Sequence, residues 1–275
     1  MVYKEFQPPP ALSGFVQAFW ILEGDGPAEE NKVYRLLPYG CPRLVIHYHN
    51  LFRTYPDPGS SGLIPITVLN GHTYHYQEYV VKGQFRFAGA YLYPFVPGLL
   101  FGVAARDYVN RVLELESLLE RPVHAILQDR VLAANNNEDR IAIMASFLTE
   151  KLTKISYQAD PLHGMIMEII SQKGNISVAE LTRLSGLSTR QLDRKFTALV
   201  GIPPKLFSRI VRFQSTLALN VACTPKNLTR LALDAGYYDQ AHFIHEFKHF
   251  AGFSPSCYFN KPGNSVADIM CAIAH

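Results

Sequence analysis

The sequence predicts an α+β protein of two domains: a β-barrel or sandwich with following helices, then an all-α domain carrying two helix-turn-helix motifs joined by a linker helix. Three observations predict it. The first 94 residues alternate short Val-, Ile-, Tyr- and Phe-rich stretches with Pro and Gly punctuation. After Pro94 the apolar spacing turns helical. Between Ile176 and Tyr258 one helix-turn-helix pattern is written twice. The expected boundaries are 1–155 for the β-rich domain with its helices, 160–260 for the helical domain and 261–275 for a tail. A chain of 275 residues is long enough for two separate cores.

In chain order, the strand candidates are Phe15–Leu22, Val33–Leu37, Arg43–His49, Ile64–Leu69, Tyr74–Val81 and Phe85–Tyr93. Turn signals such as Asp57-Pro-Gly-Ser-Ser-Gly62 and Asn70-Gly71 separate them. Even spacing of short strands suits a barrel or sandwich. Val96–Val103, Tyr108–Leu119 and Glu138–Leu152 then read as helices, with an N-cap in the polar break Asn135–Glu138. Ser156–Asp160 is the linker candidate, and Asp160 caps a helix that opens on Pro161. From there to Phe259 the reading is all helix. Leu206, Ile210, Phe213, Leu217 and Val221 mark one apolar face of a rod between the two motifs. The tail holds a short apolar patch, Ile269 to Ile273.

Composition narrows the function classes. Hydrophobic content of 48% with 18% charged residues describes a folded chain with little disorder. No run approaches the roughly 18 apolar residues of a membrane span, and the first residues lack a signal-peptide core, so a cytoplasmic location is expected. The four cysteines are scattered, without a Cys-x-x-Cys pair. Net charge is +3 but unevenly placed: residues 1–159 hold 14 Lys/Arg against 15 Asp/Glu, and residues 160–275 hold 12 against 8. A near-neutral first half and a basic second half fit a sensing domain joined to a polyanion-binding one.

The repeat is specific in its landmarks. Leu181, Gly186, Leu192, Phe196, Gly201 and Pro204 are answered by Leu231, Gly236, Phe243, Phe247, Gly252 and Pro255. The offset is 50 up to the glycine and 51 after it, so the second turn carries one extra residue. In the first copy Ala179, Leu181 and Leu184 point inward, Gly186 turns the chain and Ser188 caps the next helix. Leu192 and Phe196 bury that helix, leaving Arg190, Gln191, Arg194 and Lys195 on its other side, with Asp193 beside them. Arginine holds guanine bidentately, glutamine suits adenine and lysine neutralises phosphate. In the second copy Phe243, Phe247 and Phe250 face inward; Gln240, Ala241, His242, Ile244, His245 and Lys248 face outward. An ordinary amphipathic helix with a solvated polar face explains either motif alone. It does not explain two with matched turns at a fixed offset.

On these residues, 160–260 resembles the DNA-binding domain of the AraC family of bacterial transcription regulators, most clearly over Ala235–Ser256. The resemblance implies that both recognition helices enter the major groove at a separation fixed by the linking helix. It implies base contacts from Arg190, Gln191, Asp193 and Arg194, then from Gln240, Ala241, His242 and His245, with Lys248 nearer the phosphates and Ser188, Thr189, Lys195 and Asp239 completing the DNA-binding set. His245 stands where an arginine is usual in the family, and an unperturbed histidine is mostly uncharged near neutral pH. The order Trp20, Leu37-Pro38, Gly40, Gly89 and Tyr91–Phe95 looks like the β-rich, cupin-like sensor domain of some of these regulators. The partners so implied are double-stranded promoter DNA, a small-molecule effector, a second copy of the chain, and RNA polymerase for an activator. No membrane, metal or other cofactor is expected.

Trp20, Tyr34, Tyr39, His47, Tyr74 and Tyr91 are the ligand-pocket candidates, because barrels of this kind enclose one; strand alternation alone would also bury many of them. His47-Tyr-His49 has the same-side spacing of a cupin metal pair, but no carboxylate follows closely. Cys41 has only Arg43 beside it as an activating cation. No nucleophile elbow, phosphate loop or paired carboxylates stand out, so the expectation is a regulator and not an enzyme. The alternatives are a cupin-like metal-dependent enzyme domain fused to a DNA binder, or a first domain that only dimerises.

Overall fold

The protein is described from a computed structural model over residues 2–24, 32–49, 53–54, 64–81, 84–157, 160–222 and 228–259. The Asp57–Gly62 turn and the tail patch lie outside these residues. The chain divides into two compact units. The first comprises residues 1–34, 41–72 and 78–158, and the second comprises 35–40, 73–77 and 159–275.

The strands, in the first unit except for Arg35 and Leu36 of β3 and Gln77 of β7, are β1 (Val2–Phe6), β2 (Val16–Gly24), β3 (Lys32–Leu36), β4 (Arg43–His49), β5 (Arg53–Thr54), β6 (Thr67–Asn70), β7 (Gln77–Val81), β8 (Phe85–Leu92) and β9 (Val112–Glu114). They form a six-stranded sheet, β1-β2-β8-β4-β6-β9, and a three-stranded sheet, β3-β7-β5. The large sheet has two chemically different faces, because directly paired residues share a side. Phe19, Ile21, Ala88, Ala90, Leu92, Leu44, Ile46 and Leu69 form the apolar, buried centre of one face, with Thr67, Glu23 and Arg86 on the same side. Helices α3 (Arg121–Ala133) and α4 (Asn137–Thr153) cover it. Trp20, Gly89, Tyr91, Arg43, Val45 and His47 lie on the other face.

Two elements of this unit differ from expectation. Tyr108–Leu119 is not one helix: α1 (Val96–Phe101) ends before it, α2 (Ala105–Tyr108) ends on its first residue, and Val112–Glu114 joins the sheet edge beside β6. Tertiary pairing outweighs a short helical pattern there. Helix α3 was not anticipated; it opens with Pro122 in its first turn and buries His124, Leu127 and Val131 at steps of three and four. Asn136 caps α4 by accepting from the Asp139 N–H.

The second unit is helical: α5 (Pro161–Ser171), α6 (Val178–Ser185), α7 (Thr189–Val200), α8 (Pro204–Ala222), α9 (Leu228–Asp234), α10 (Gln240–Ala251) and α11 (Pro255–Phe259). Asp160 caps α5 by accepting from the Leu162 N–H. The 19-residue α8 packs against α5, α7, α9 and α10 and is the axis of the unit. At 1.5 Å per residue it runs about 28 Å. Its buried positions are Pro204, Phe207, Ser208, Ile210, Phe213, Thr216, Leu217 and Ala218. Leu206, expected on that face, is only half-buried, since Phe207 takes the inward position against Phe196 at a ring distance of 5.7 Å. The Val221 side chain lies outside the described residues.

Candidate DNA interface and the polar sheet face

Both turns of the repeat need a left-handed glycine. Gly186 has φ +66° and Gly236 has φ +80°, and each follows the first helix of its motif. Around Gly186 a Cβ would meet open space, whereas at Gly236 it would sit 2.0 Å from Asn175 Oδ1. Ser188 and Asp239 then cap α7 and α10, accepting from the Gln191 and His242 amides. The extra residue of the second turn is Tyr238, 88% exposed, between buried Tyr237 and the cap.

In the first motif Leu181, Leu192, Phe196 and Val200 are buried, while Thr189, Arg190, Gln191, Asp193, Arg194 and Lys195 are exposed. Leu184 is 53% exposed and Ala179 is also outward, which corrects the inward placement expected from sequence. The inward stripe of α6 is Val178, Leu181 and Ser185, at helical steps of three and four, with Ser185 donating to the Leu181 carbonyl. Arg190 and Arg194, one turn apart, have neither an ion pair nor a hydrogen-bonding side-chain partner among the described residues. Gln191 is partly committed: its Oε1 accepts from the Ser188 N–H at 3.0 Å and the Ser188 hydroxyl at 2.9 Å in a capping box. Its amide NH2 is the part left to read a base. Lys195 borders a groove with Asp160, Leu162, Met165 and Leu187, toward α5.

In the second motif Ala241, His245 and Lys248 are exposed, while Gln240, His242 and Ile244 are half-buried. Ile244 is therefore not the outward residue expected. Gln240 Oε1 accepts from the Thr229 hydroxyl at 2.6 Å, tying α9 to α10. His242 turns toward the scaffold, edge-on to Tyr237 at 5.4 Å, with Nε2 3.8 Å from Glu246 Oε1.

Glu246 is the residue that sequence reasoning missed. Its side chain is 4% exposed and pairs with Arg209 and, at 3.2 Å, with Arg212, both from α8. Arg212 also lies over the Tyr237 ring at 4.7 Å. A carboxylate inside an aromatic stripe (Phe243, Phe247, Phe250) was the available signal, since such a group is buried only when paired. The first motif is anchored differently, with the exposed Lys195 at the corresponding position and the Phe196–Phe207 contact carrying the join.

The ligand candidates separate into two sets. Trp20, His47 and Tyr91 share the polar face of the large sheet; Tyr34 is buried edge-on to Phe85, whose ring stacks on Phe87, itself against His47. Tyr39 and Tyr74 belong to segments clustered with the helical unit and do not join them. The indole of Trp20 lies flat over Gly89, where a Cβ would be 2.1 Å from the ring. Burial holds the His47 imidazole down to about 4, keeping it neutral. A bulge between His47 and His49 breaks the alternation, so His47 is buried and His49 exposed; the same-side pair expected from spacing does not form. No cluster of three His, Cys, Asp or Glu exists among the described residues. Cys41 is buried, and burial pushes its thiol well above the usual range, against a redox role.

Two left-handed turns, two capped recognition helices and one linking helix define the class of double helix-turn-helix proteins. A helix-turn-helix domain family matches residues 181–261. Residues 4–114 match a domain of unknown function, DUF6597. The HTH-type transcriptional regulator MtrA of Neisseria gonorrhoeae is 27% identical over 164 residues, covering 57% of this chain and 53% of that protein. An uncharacterized HTH-type transcriptional regulator of Haemophilus influenzae is 26% identical over 160 residues, covering 52% and 53%. The chain thus spans about half the length of the curated relatives it matches. A structure of ToxT from Vibrio cholerae shares the fold over 94% of this chain and 98% of its own, with TM-score 0.52 and 11% identity. Among the described residues no helix is long and apolar enough to cross a membrane.

Proposed function

We propose that the protein is a sequence-specific DNA-binding transcription regulator whose N-terminal β-rich domain responds to a small-molecule effector. The observation that carries the reading is the pair of capped helices on one axis, with Arg190 and Arg194 outward on the first and His245 and Lys248 outward on the second. The proposed division of labour is 1–155 for sensing or dimerisation, 160–260 for DNA and 261–275 as a tail. Arg194 and Arg190 read bases, with the Gln191 amide beside them. Asp193 sets their reach, Thr189 and Ser188 approach the backbone, and Lys195 and Lys248 neutralise phosphates. On the second helix Ala241 and His245 meet the groove, and Tyr238 touches the strand beside it. The helices dock in successive major grooves about 34 Å apart.

The first helix sets most of the specificity and the second positions the domain. ToxT has been crystallised bound to (E)-4-(8-methylnaphthalen-1-yl)but-3-enoic acid, which supports effector response in a protein of this fold. The reading is of a binding protein in the cytoplasm rather than a catalyst, with a second copy of the chain, and RNA polymerase for an activator, as further partners. Fluorescence anisotropy with promoter DNA tests it: affinity falls steeply with salt as counterions are released. Salt-insensitive binding, or binding untouched by Arg194→Ala, contradicts it.

A further inference from the structure

We infer that the polar face of the six-stranded sheet binds a small aromatic carboxylate, its charge taken by Arg43 and its ring laid against Trp20 and Tyr91. This deepens the effector reading and rests on it. Arg43 is 4% exposed, and no carboxylate among the described residues pairs with it. Its Nε, fully buried, meets no acceptor. The Cys41 thiol and the Tyr79 phenol feel its charge, and burial holds both neutral. Glu5 shares the face but stands three strands away, roughly 14 Å at about 4.8 Å per strand. A guanidinium cannot shed its proton, so burial here fixes a positive charge on a forked donor whose Nε–H is unsatisfied. A carboxylate is the group that fits that fork.

Two neighbours add to the case. Trp20 Nε1 is buried and meets no acceptor, and Asn70 Oδ1, on the residue directly across from Arg43, meets no donor. Unsatisfied polar atoms gathered on one buried face, while the Thr67 hydroxyl of the opposite face is partnered by His124, point to a ligand and not to packing. The ligand's body follows from the indole, pressed on Gly89 and flanked by Tyr3 at 6.5 Å and Tyr91 at 5.7 Å. Trp20 and Tyr91 are 2% and 1% exposed, so a flat ring joins that stack only as the face opens. One buried guanidinium among the described residues of this face, with Glu5 on the same side, suits a single negative charge better than a phosphate.

Trp20 is the only tryptophan of the 275 residues, so its emission reports this face alone. The full chain is titrated with benzoate and cinnamate, with their uncharged carboxamides, and with octanoate, while DNA affinity is followed in parallel. The aromatic acids should change the emission saturably and bind at least about tenfold tighter than the amides or octanoate. Arg43→Met should remove the acid preference and Arg43→Lys, keeping the charge without the fork, should retain part of it, with both variants still binding DNA. Amides or octanoate binding as tightly as the aromatic acids overturns the inference, as does an emission unmoved by every acid at millimolar concentration. Acid binding that leaves DNA affinity unchanged supports the site and overturns the effector reading; DNA affinity altered only by an uncharged compound does the reverse.

Discussion

Replacing Glu246 by alanine strikes the join between the linking helix and the second recognition helix. The side chain is 4% exposed and satisfies two guanidiniums of α8, Arg209 and Arg212, whose side chains are 30% and 17% exposed. Removing one partner of a buried ion pair costs about 3–5 kcal/mol, because the other charge stays behind uncompensated. Here the arginines recover some water on loss of the carboxylate, which places the cost nearer about 2–3 kcal/mol. For a unit of this size each kcal/mol moves the melting point by about 4–8 °C, so the helical unit should melt about 10–20 °C lower. Calorimetry resolves that transition, and Glu246→Gln, which keeps the shape, should lose less. Arg209→Met and Arg212→Met combined with Glu246→Leu should regain much of the stability, since an apolar replacement leaves no charge buried. A Glu246→Ala protein melting within about 2 °C of the parent would refute the anchoring role.

Arg194→Ala should cost about 1–3 kcal/mol of preference at the bases it reads, roughly 5- to 150-fold by competition binding. His242→Ala should lower stability and leave base preference intact, because that imidazole faces Tyr237 and Glu246. Gly236→Ala should destabilise more than Gly186→Ala: both force a left-handed alanine, at about 1 kcal/mol or more, but only at Gly236 does the new Cβ meet Asn175. The pH dependence of the first unit should carry the signature of His47. Its folded pKa of about 4 lies below the ordinary 6.5, so the unfolded chain takes up the proton first. That stability is fully present above pH 6.5 and is lost as pH falls toward 4, at about 3 kcal/mol in total. Glu5 opposes it: burial raises its carboxyl to about 7, so its contribution is present below 4.5 and lost as pH rises through 7. Melting His47→Gln beside the parent across this range isolates the histidine, and identical profiles would contradict its buried neutral state.

The helical half was legible because its signals are local. Glycine, cap and aromatic positions recur at a fixed offset, and each occupies the same place in both copies: Gly186 with Gly236, Ser188 with Asp239, Phe196 with Phe247. What escaped depends on neighbours distant in sequence. Glu246 reads as one more polar residue until α8 supplies its arginines, and Gln191 reads as a base reader until the capping box claims its carbonyl oxygen. In the sheet unit, strands rich in Val, Tyr and Phe were visible, but β9 exists only because β6 offers an edge. The bulge after His47 cancelled an inference drawn from strict alternation. Arg43 was noticed only as a neighbour of Cys41; its isolation on a buried face is set by cross-strand register, which no single segment encodes.

The most direct test of two unequal readers on one axis is selection of bound sequences from a random DNA pool by the full chain. The account predicts two preferred segments about one helical turn apart, the stronger losing its preference on Arg194→Ala and the weaker persisting. A single short segment, or two segments equally weakened by changing Arg194 and His242, would contradict it.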